Sequence, residues 1–181
     1  MYLKFFTFLI ISTNLFADAS IRPISTYSIV AYDEKTGELG VAVQSHWFSV
    51  GTVVPWAKAG VGAVATQSIA EPSYGPKGLA LMEQGMPADE VLKSLLAKDS
   101  GENVRQIGMV DANGNVGAHT GARCIRYAGH KIGKHYSVQA NIMEKPTVPN
   151  AMSKAFENAK GDLAERMLVA LEAAEKEGGD L

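Results

Sequence analysis

The chain has 181 residues, 46% hydrophobic and 20% charged, with 17 basic and 19 acidic side chains, four histidines and one cysteine. One ordinary globular domain fits that size and composition, whereas a disordered or fibrous chain does not. A net charge of -2 supplies no field for gripping nucleic acid, and the single thiol, Cys124, cannot form an intrachain disulfide or a multi-thiolate metal site.

The first residues read as an address. Met1 to Lys4 carries one positive charge, Phe5 to Phe16 is mostly apolar, and Ala17-Asp18-Ala19 places small residues where signal peptidase requires them. A membrane anchor needs roughly 20 apolar residues, more than this run supplies. A cleaved signal over residues 1–19 is therefore expected, giving a secreted or periplasmic product that is not membrane-embedded.

Thr26 to Tyr32 is β-branched and aromatic and predicts a strand, which Asp33 to Gly37 turns into a returning strand, Glu38 to Ser45. A second pair is expected from Val50 to Val54 and from Gly60 to Gln67. The glycine and alanine density of the latter suits either close approach of a ligand or a tightly packed layer. Residues 74–98 change to helical period. One helix ends near Gly85, and a second starts with Pro87 at N1 and carries Ala88, Val91, Leu92, Leu95 and Leu96 on one face. Strands resume at Val104–Val110 and, after an Asn113-Gly114 turn, at Val116–His119, with more expected at Arg123–Tyr127 and Tyr136–Met143. Two helices follow, one capped by Asn150 and one by Asp162, with Glu165 completing a capping box. Hairpins and helices in that order predict an α+β fold of two antiparallel sheets packed face to face, with helices on both outer faces.

No P-loop, Gly-x-Ser-x-Gly elbow, His-Glu-x-x-His or dinucleotide fingerprint is present. His46, His119, His130, His135 and Cys124 lack metal-ligand spacing, so neither metal nor cofactor is expected. Thr26, heading the first strand, is the informative residue. At a chain terminus its own α-amine, with a pKa of about 8, can take the hydroxyl proton. Such a site also needs oxyanion donors, for which Gln67 and Asn141 are candidates, and positioning groups such as His119 and Thr120. Ser45 and His46, ending the second strand, and Lys58 are weaker candidates for holding substrate. Asp33, Glu71 and Asp111 read as turn residues.

Thr26-Tyr27-Ser28-Ile29-Val30-Ala31, Gly40-Val41-Ala42-Val43-Gln44-Ser45, Val53-Val54-Pro55-Trp56-Ala57 and Ala59-Gly60-Val61-Gly62-Ala63-Val64-Ala65-Thr66-Gln67 resemble a bacterial and archaeal family known as domain of unknown function 1028. Tyr74-Gly75-Pro76, Arg105-Gln106, Ala118-His119-Thr120-Gly121, Ala128-Gly129-His130 and Gln139-Ala140-Asn141 extend the resemblance over residues 26–180. It implies an N-terminal-nucleophile hydrolase, with the four-layer αββα fold of proteasome subunits and glycosylasparaginase. Thr26 would then be the nucleophile on a small amide, a peptide or a cell-wall fragment, since some members carry a peptidoglycan-binding domain. Lys58 follows Thr26 by 32 residues, a separation similar to that of the proteasome lysine. Homo-oligomers occur in that superfamily.

The sequence departs from the family pattern twice. Cleavage before Ser20 leaves Ser20 to Ser25 as a pro-segment or linker ahead of Thr26, so a second cut, at Ser25–Thr26, is required for catalysis. Relatives continue past Gly178-Gly179-Asp180 into further strands, which implies a domain shortened at Leu181. Without the second cut, the alternative is a non-catalytic protein binding a ligand or peptidoglycan on the same fold.

Overall fold

The computed structural model describes residues 25–179, so the expected signal peptide and most of the expected pro-segment lie outside the described residues. Among the described residues, eight strands and four α-helices follow one another as four strands, two helices, four strands and two helices. The strands are β1 Thr26–Tyr32, β2 Leu39–Ser45, β3 Pro55–Lys58, β4 Gly62–Ser68, β5 Arg105–Asp111, β6 Val116–Thr120, β7 Gly129–Gly133 and β8 Tyr136–Asn141. The helices are α1 Tyr74–Glu83, α2 Ala88–Leu96, α3 Val148–Asn158 and α4 Leu163–Gly178. Antiparallel pairing gives two sheets, ordered β2-β1-β8-β7 and β3-β4-β5-β6. The expected α+β fold of two antiparallel sheets flanked by helices is the fold observed: α3 and α4 cover the first sheet, α1 and α2 the second, and the bare faces meet.

The two-residue period of the strands decides which side chain enters which layer. On β1, Tyr27, Ile29 and Ala31 join Met152, Phe156, Met167 and Ala170 beneath the helices. Val30 points the other way and meets Ala63, Ala65 and Val110 between the sheets. The glycine- and alanine-rich β4 is thus a packed central strand. A methyl group on Gly62 would lie 2.6 Å from the Val110 carbonyl oxygen, and one on Gly108 would meet the Gln139 amide at 2.6 Å. Gly108→Ala is expected to cost about 1–3 kcal/mol by overpacking. Gly78→Ala, whose nearest neighbour is the flexible Met109 at 3.1 Å, is expected to cost less when both are compared by urea denaturation.

Several local expectations need correction. Residues 50–52 form a 3-10 turn instead of a strand, entered through Ser49 at a left-handed φ of 61°, and the hairpin strand begins at Pro55. Pro87 is the N-cap of α2 rather than N1, and its missing side-chain cap is replaced by Asp111, whose carboxylate accepts the Ala88 N–H at 3.0 Å. Thr147, not Asn150, stands at the N-cap of α3, with Pro149 in the first turn. Arg123–Tyr127 is loop, and the edge strand is Gly129–Gly133, paired through β8. The Asp162–Glu165 capping box is present. Asp33, Glu71 and Asp111 do serve turns, accepting the backbone N–H groups of Lys35, Ser73 and Asn113 respectively. No helix among the described residues is long and apolar enough to cross a membrane.

Candidate active site

Every strand pairing brings the same end of the sandwich together. Thr26 opens β1 between Ser45, at the end of β2, and Asn141, at the end of β8. In the facing sheet, Ser68 ends β4 opposite Arg105, and Gln106 lies opposite Thr120. Thr26, Ser28, Gln139 and Asn141 occupy the inward positions of their strands, so this end of the inter-sheet space is polar where the other end is apolar.

Thr26 is 7% exposed. Its Oγ1 lies 2.9 Å from Ser45 Oγ, which donates to the Ser25 carbonyl oxygen at 2.9 Å and accepts the Trp47 N–H at 3.1 Å. Because a serine has one hydroxyl proton, Thr26 is the donor to Ser45. Ser45 therefore touches both the candidate nucleophile and the carbonyl of the peptide bond that precedes it. A cavity of about 290 Å³ opens beside them. Thr26, Ser45, Gln67 and Ser68 line its polar side, and Val50, Val53, Val54 and Ile69 its apolar side. Larger clefts of about 720 and 650 Å³ lie elsewhere and contain none of these residues.

Beneath Thr26 runs a buried chain of hydrogen bonds in which each side chain donates to the next. Ser137 donates to Gln139 at 3.0 Å, Gln139 to Ser28 at 3.1 Å and Ser28 to Gln67 at 2.6 Å. Gln67 then donates to Gln106 at 2.8 Å, and Gln106 to Thr120 at 2.9 Å. Gln106 Nε2 also lies within hydrogen-bond distance of the Ala140 and Gly129 carbonyl oxygens, so its two N–H groups are shared among three acceptors, which fixes which of its atoms is nitrogen. Thr120 Oγ1, which accepts from Gln106, also shares a hydrogen bond of 2.8 Å with His130 Nδ1. Desolvation, reinforced by the charge of nearby His119, holds the His130 pKa below the usual imidazole value. Aligned donors polarise one another, so this network fixes a single arrangement around the Thr26 carbonyl.

The predicted site residues divide accordingly. Thr26, Ser45 and Gln67 share the cavity. Asn141 and Thr120 belong to the network. The Gln67 and Asn141 amides, expected as oxyanion donors, spend their N–H groups inside the sandwich on Gln106 Oε1 and the Thr26 carbonyl. They hold the Thr26 carbonyl, and Gln67 also lines the cavity. Asn141 Oδ1 is a buried acceptor without a hydrogen-bond partner. His119 faces away from the network, since its neighbours in register alternate with those of Thr120, and its Nε2 bonds the Glu102 carbonyl at 2.9 Å. His46 is exposed one residue beyond Ser45 and outside the cavity lining. Lys58 lies at the opposite end of the sandwich, about 20 Å away along β4, paired with Glu83 at 2.5 Å. Ser28, Gln106, Gln139 and His130 were not expected. Ser28 and Gln139 carry a signal, a polar residue at every second position of an otherwise apolar stretch, as in Ser137-Val138-Gln139-Ala140-Asn141, whereas Gln106 and His130 carry none.

Arg105 braces the cavity wall from behind. Its guanidinium donates to the Ile69 carbonyl at 2.7 Å and to Asp99 at 2.9 Å. The hydrogen bond from Arg105 is the main reason that the Asp99 carboxyl lies below its ordinary pKa of 3.8. A depressed folded-state value means the pair stabilises fully above about pH 4 and loses that contribution as pH falls through the folded pKa. Asp99→Asn is therefore expected to cost about 1.5–3 kcal/mol at pH 7 and much less at pH 2, measured by urea denaturation at the two pH values.

The matches to known proteins agree with this frame. A family model described as "Family of unknown function (DUF1028)" matches residues 26–181, and the chain belongs to that family. The crystal structure of protein SPO2555 from Silicibacter pomeroyi, assigned to the same family, superposes with a TM-score of 0.81 at 28% identity, covering 85% of this chain and 69% of that one. No curated protein matches.

Proposed function

We propose that this family member is an exported hydrolase of amide bonds that uses Thr26 as an N-terminal nucleophile, as in the superfamily it resembles. One observation carries the reading: Ser45 Oγ contacts both Thr26 Oγ1 and the Ser25 carbonyl oxygen, each at 2.9 Å. That is the arrangement an acyl shift at Ser25–Thr26 needs. Thr26 Oγ attacks the Ser25 carbonyl carbon. Its proton passes to Ser45 as Ser45 gives its own proton to the carbonyl oxygen, the group on which charge would otherwise build. The C–N bond then breaks, the nitrogen takes up a proton as the carbonyl re-forms, and water hydrolyses the resulting ester. The product is a free α-amine on Thr26.

That amine supplies a base to Thr26 Oγ1, whose hydrogen-bond partner among the described residues is another hydroxyl. It also brings new N–H groups to the β1 position paired with Asn141, whose Oδ1 is the open acceptor. In the reaction itself, the amine takes the Oγ proton, Oγ attacks the substrate amide, the amine product leaves with that proton, and water releases the acid. Export rests on residues 1–19, and a wall-derived substrate on the family resemblance.

The test is amide hydrolysis by the mature chain. Thr26→Ala is expected to lower turnover at least 1000-fold, and Thr26→Ser to retain a measurable fraction. Undiminished turnover in Thr26→Ala would place the nucleophile elsewhere. The second reading, a binding protein on the same scaffold, is favoured by the Thr26 Oγ1 partner among the described residues, a hydroxyl rather than a base. It predicts ligand binding without turnover.

A further inference from the structure

We propose that the cavity beside Thr26 holds an uncharged, apolar acyl group of about ten non-hydrogen atoms or fewer, which makes the substrate an N-acyl amide with a compact aliphatic or aromatic acyl chain. This rests on Thr26 as the nucleophile. Three observations of the cavity carry it: its lining, its volume and its position.

Among the described residues, the lining contains no Asp, Glu, Lys, Arg or His. Arg105, which lies behind the wall, is committed to Asp99 and to the Ile69 carbonyl. A carboxylate or ammonium on the acyl chain would lose its water shell there without gaining a partner, whereas an alkyl chain gains burial against Val50, Val53 and Val54. Trp47 extends the apolar surface outward: it lines the cavity and is 57% exposed, and the next residue, Phe48, is 92% exposed. The walls keep their shape through backbone held in the left-handed region at two non-glycine positions, Ser49 (φ 61°) and Ser68 (φ 68°). Strained conformations of this kind persist where surrounding structure over-determines them.

At about 30 Å³ for each water-sized group, 290 Å³ accepts about ten non-hydrogen atoms. Position assigns this space to the acyl side. When Thr26 Oγ bonds to the carbonyl carbon and the C–N bond breaks, the amine departs with the proton, but the acyl group stays on Thr26 until water cleaves the ester. The cavity touching Thr26 is the space that would hold that group.

The experiment compares three p-nitroanilides of equal chain length with the mature protein: hexanoyl, adipoyl (ending in a carboxylate) and 6-aminohexanoyl (ending in an ammonium). Binding of hexanamide, adipamic acid and 6-aminohexanamide is measured in parallel by calorimetry on the Thr26→Ala variant, produced with residue 26 as its first residue so that no cleavage is needed. The expected result is a kcat/KM at least about 100-fold higher for hexanoyl than for either charged analogue, with the same order in binding. Ala70→Glu and, independently, Val50→Asp place a carboxylate on the wall and should each lower the hexanoyl preference about tenfold or more. Equal or inverted preference in turnover overturns the proposal and leaves Thr26 catalysis standing. Binding of hexanamide alone, with no turnover of any anilide, upholds the cavity assignment while the catalytic reading fails. Neither turnover nor binding overturns both.

Discussion

Replacing Gln106 with leucine is expected to destabilise the fold by about 3–5 kcal/mol, as large an effect as any single polar substitution here should have. Gln106 is fully buried. Its Oε1 accepts from Gln67 at 2.8 Å and from Asn141 at 3.0 Å, while its two amide N–H groups are shared among Thr120 and the Ala140 and Gly129 carbonyls. Leucine fills similar space but leaves two buried amides with only contacts of 3.4 Å to backbone carbonyls. Each buried polar group stranded in this way costs about 1–3 kcal/mol. The same logic predicts non-additivity. Leucine at both Gln67 and Gln106 removes donor and acceptor together, so the double variant should be more stable than the sum of the single losses by 1 kcal/mol or more. Additive losses would mean that the two amides act independently and that the chain of donors has no collective role.

Ser45→Ala is expected to slow the proposed cleavage at Ser25–Thr26 at least 100-fold, the usual effect of deleting one oxyanion donor. The alanine variant loses both the proton path from Thr26 and the donor to the Ser25 carbonyl. Its cost in stability should be only about 1 kcal/mol, since the bonds lost are partly exposed, and a melting curve therefore separates failed processing from failed folding. Ser45→Thr keeps a hydroxyl at the same atom and should restore most of the rate. Unchanged processing in Ser45→Ala would remove Ser45 from the chemistry.

The layered fold was legible because its determinants are local. Thr26–Tyr32 and Leu39–Ser45 carry β-branched residues across a turn closed by Gly37, and the Ala88–Leu96 stripe has helical period. Elements defined by tertiary pairing were not. Gly129–Gly133 has weak strand propensity and pairs because β8 supplies a partner, whereas Ile125 and Tyr127 have strand propensity in a segment that finds no ladder. At the site, Thr26, Ser45 and Gln67 were visible as strand ends. The spending of the Gln67 and Asn141 donors was not, because it depends on carbonyls of strands far away in sequence. Lys58 matched a spacing, but it sits at the wrong end of its strand. One-dimensional separation carries no information about which end of a sheet a residue occupies.

The central claim concerns where the working chain begins. Full-length protein should be expressed with its leader, recovered after export, and its N-terminal residue determined by intact mass and N-terminal sequencing. The expected wild-type product begins at Thr26, with a species beginning at Ser20 accumulating in Ser45→Ala and Thr26→Ala. A wild-type chain that remains stable with Ser20 at its terminus would contradict Thr26 as an N-terminal nucleophile.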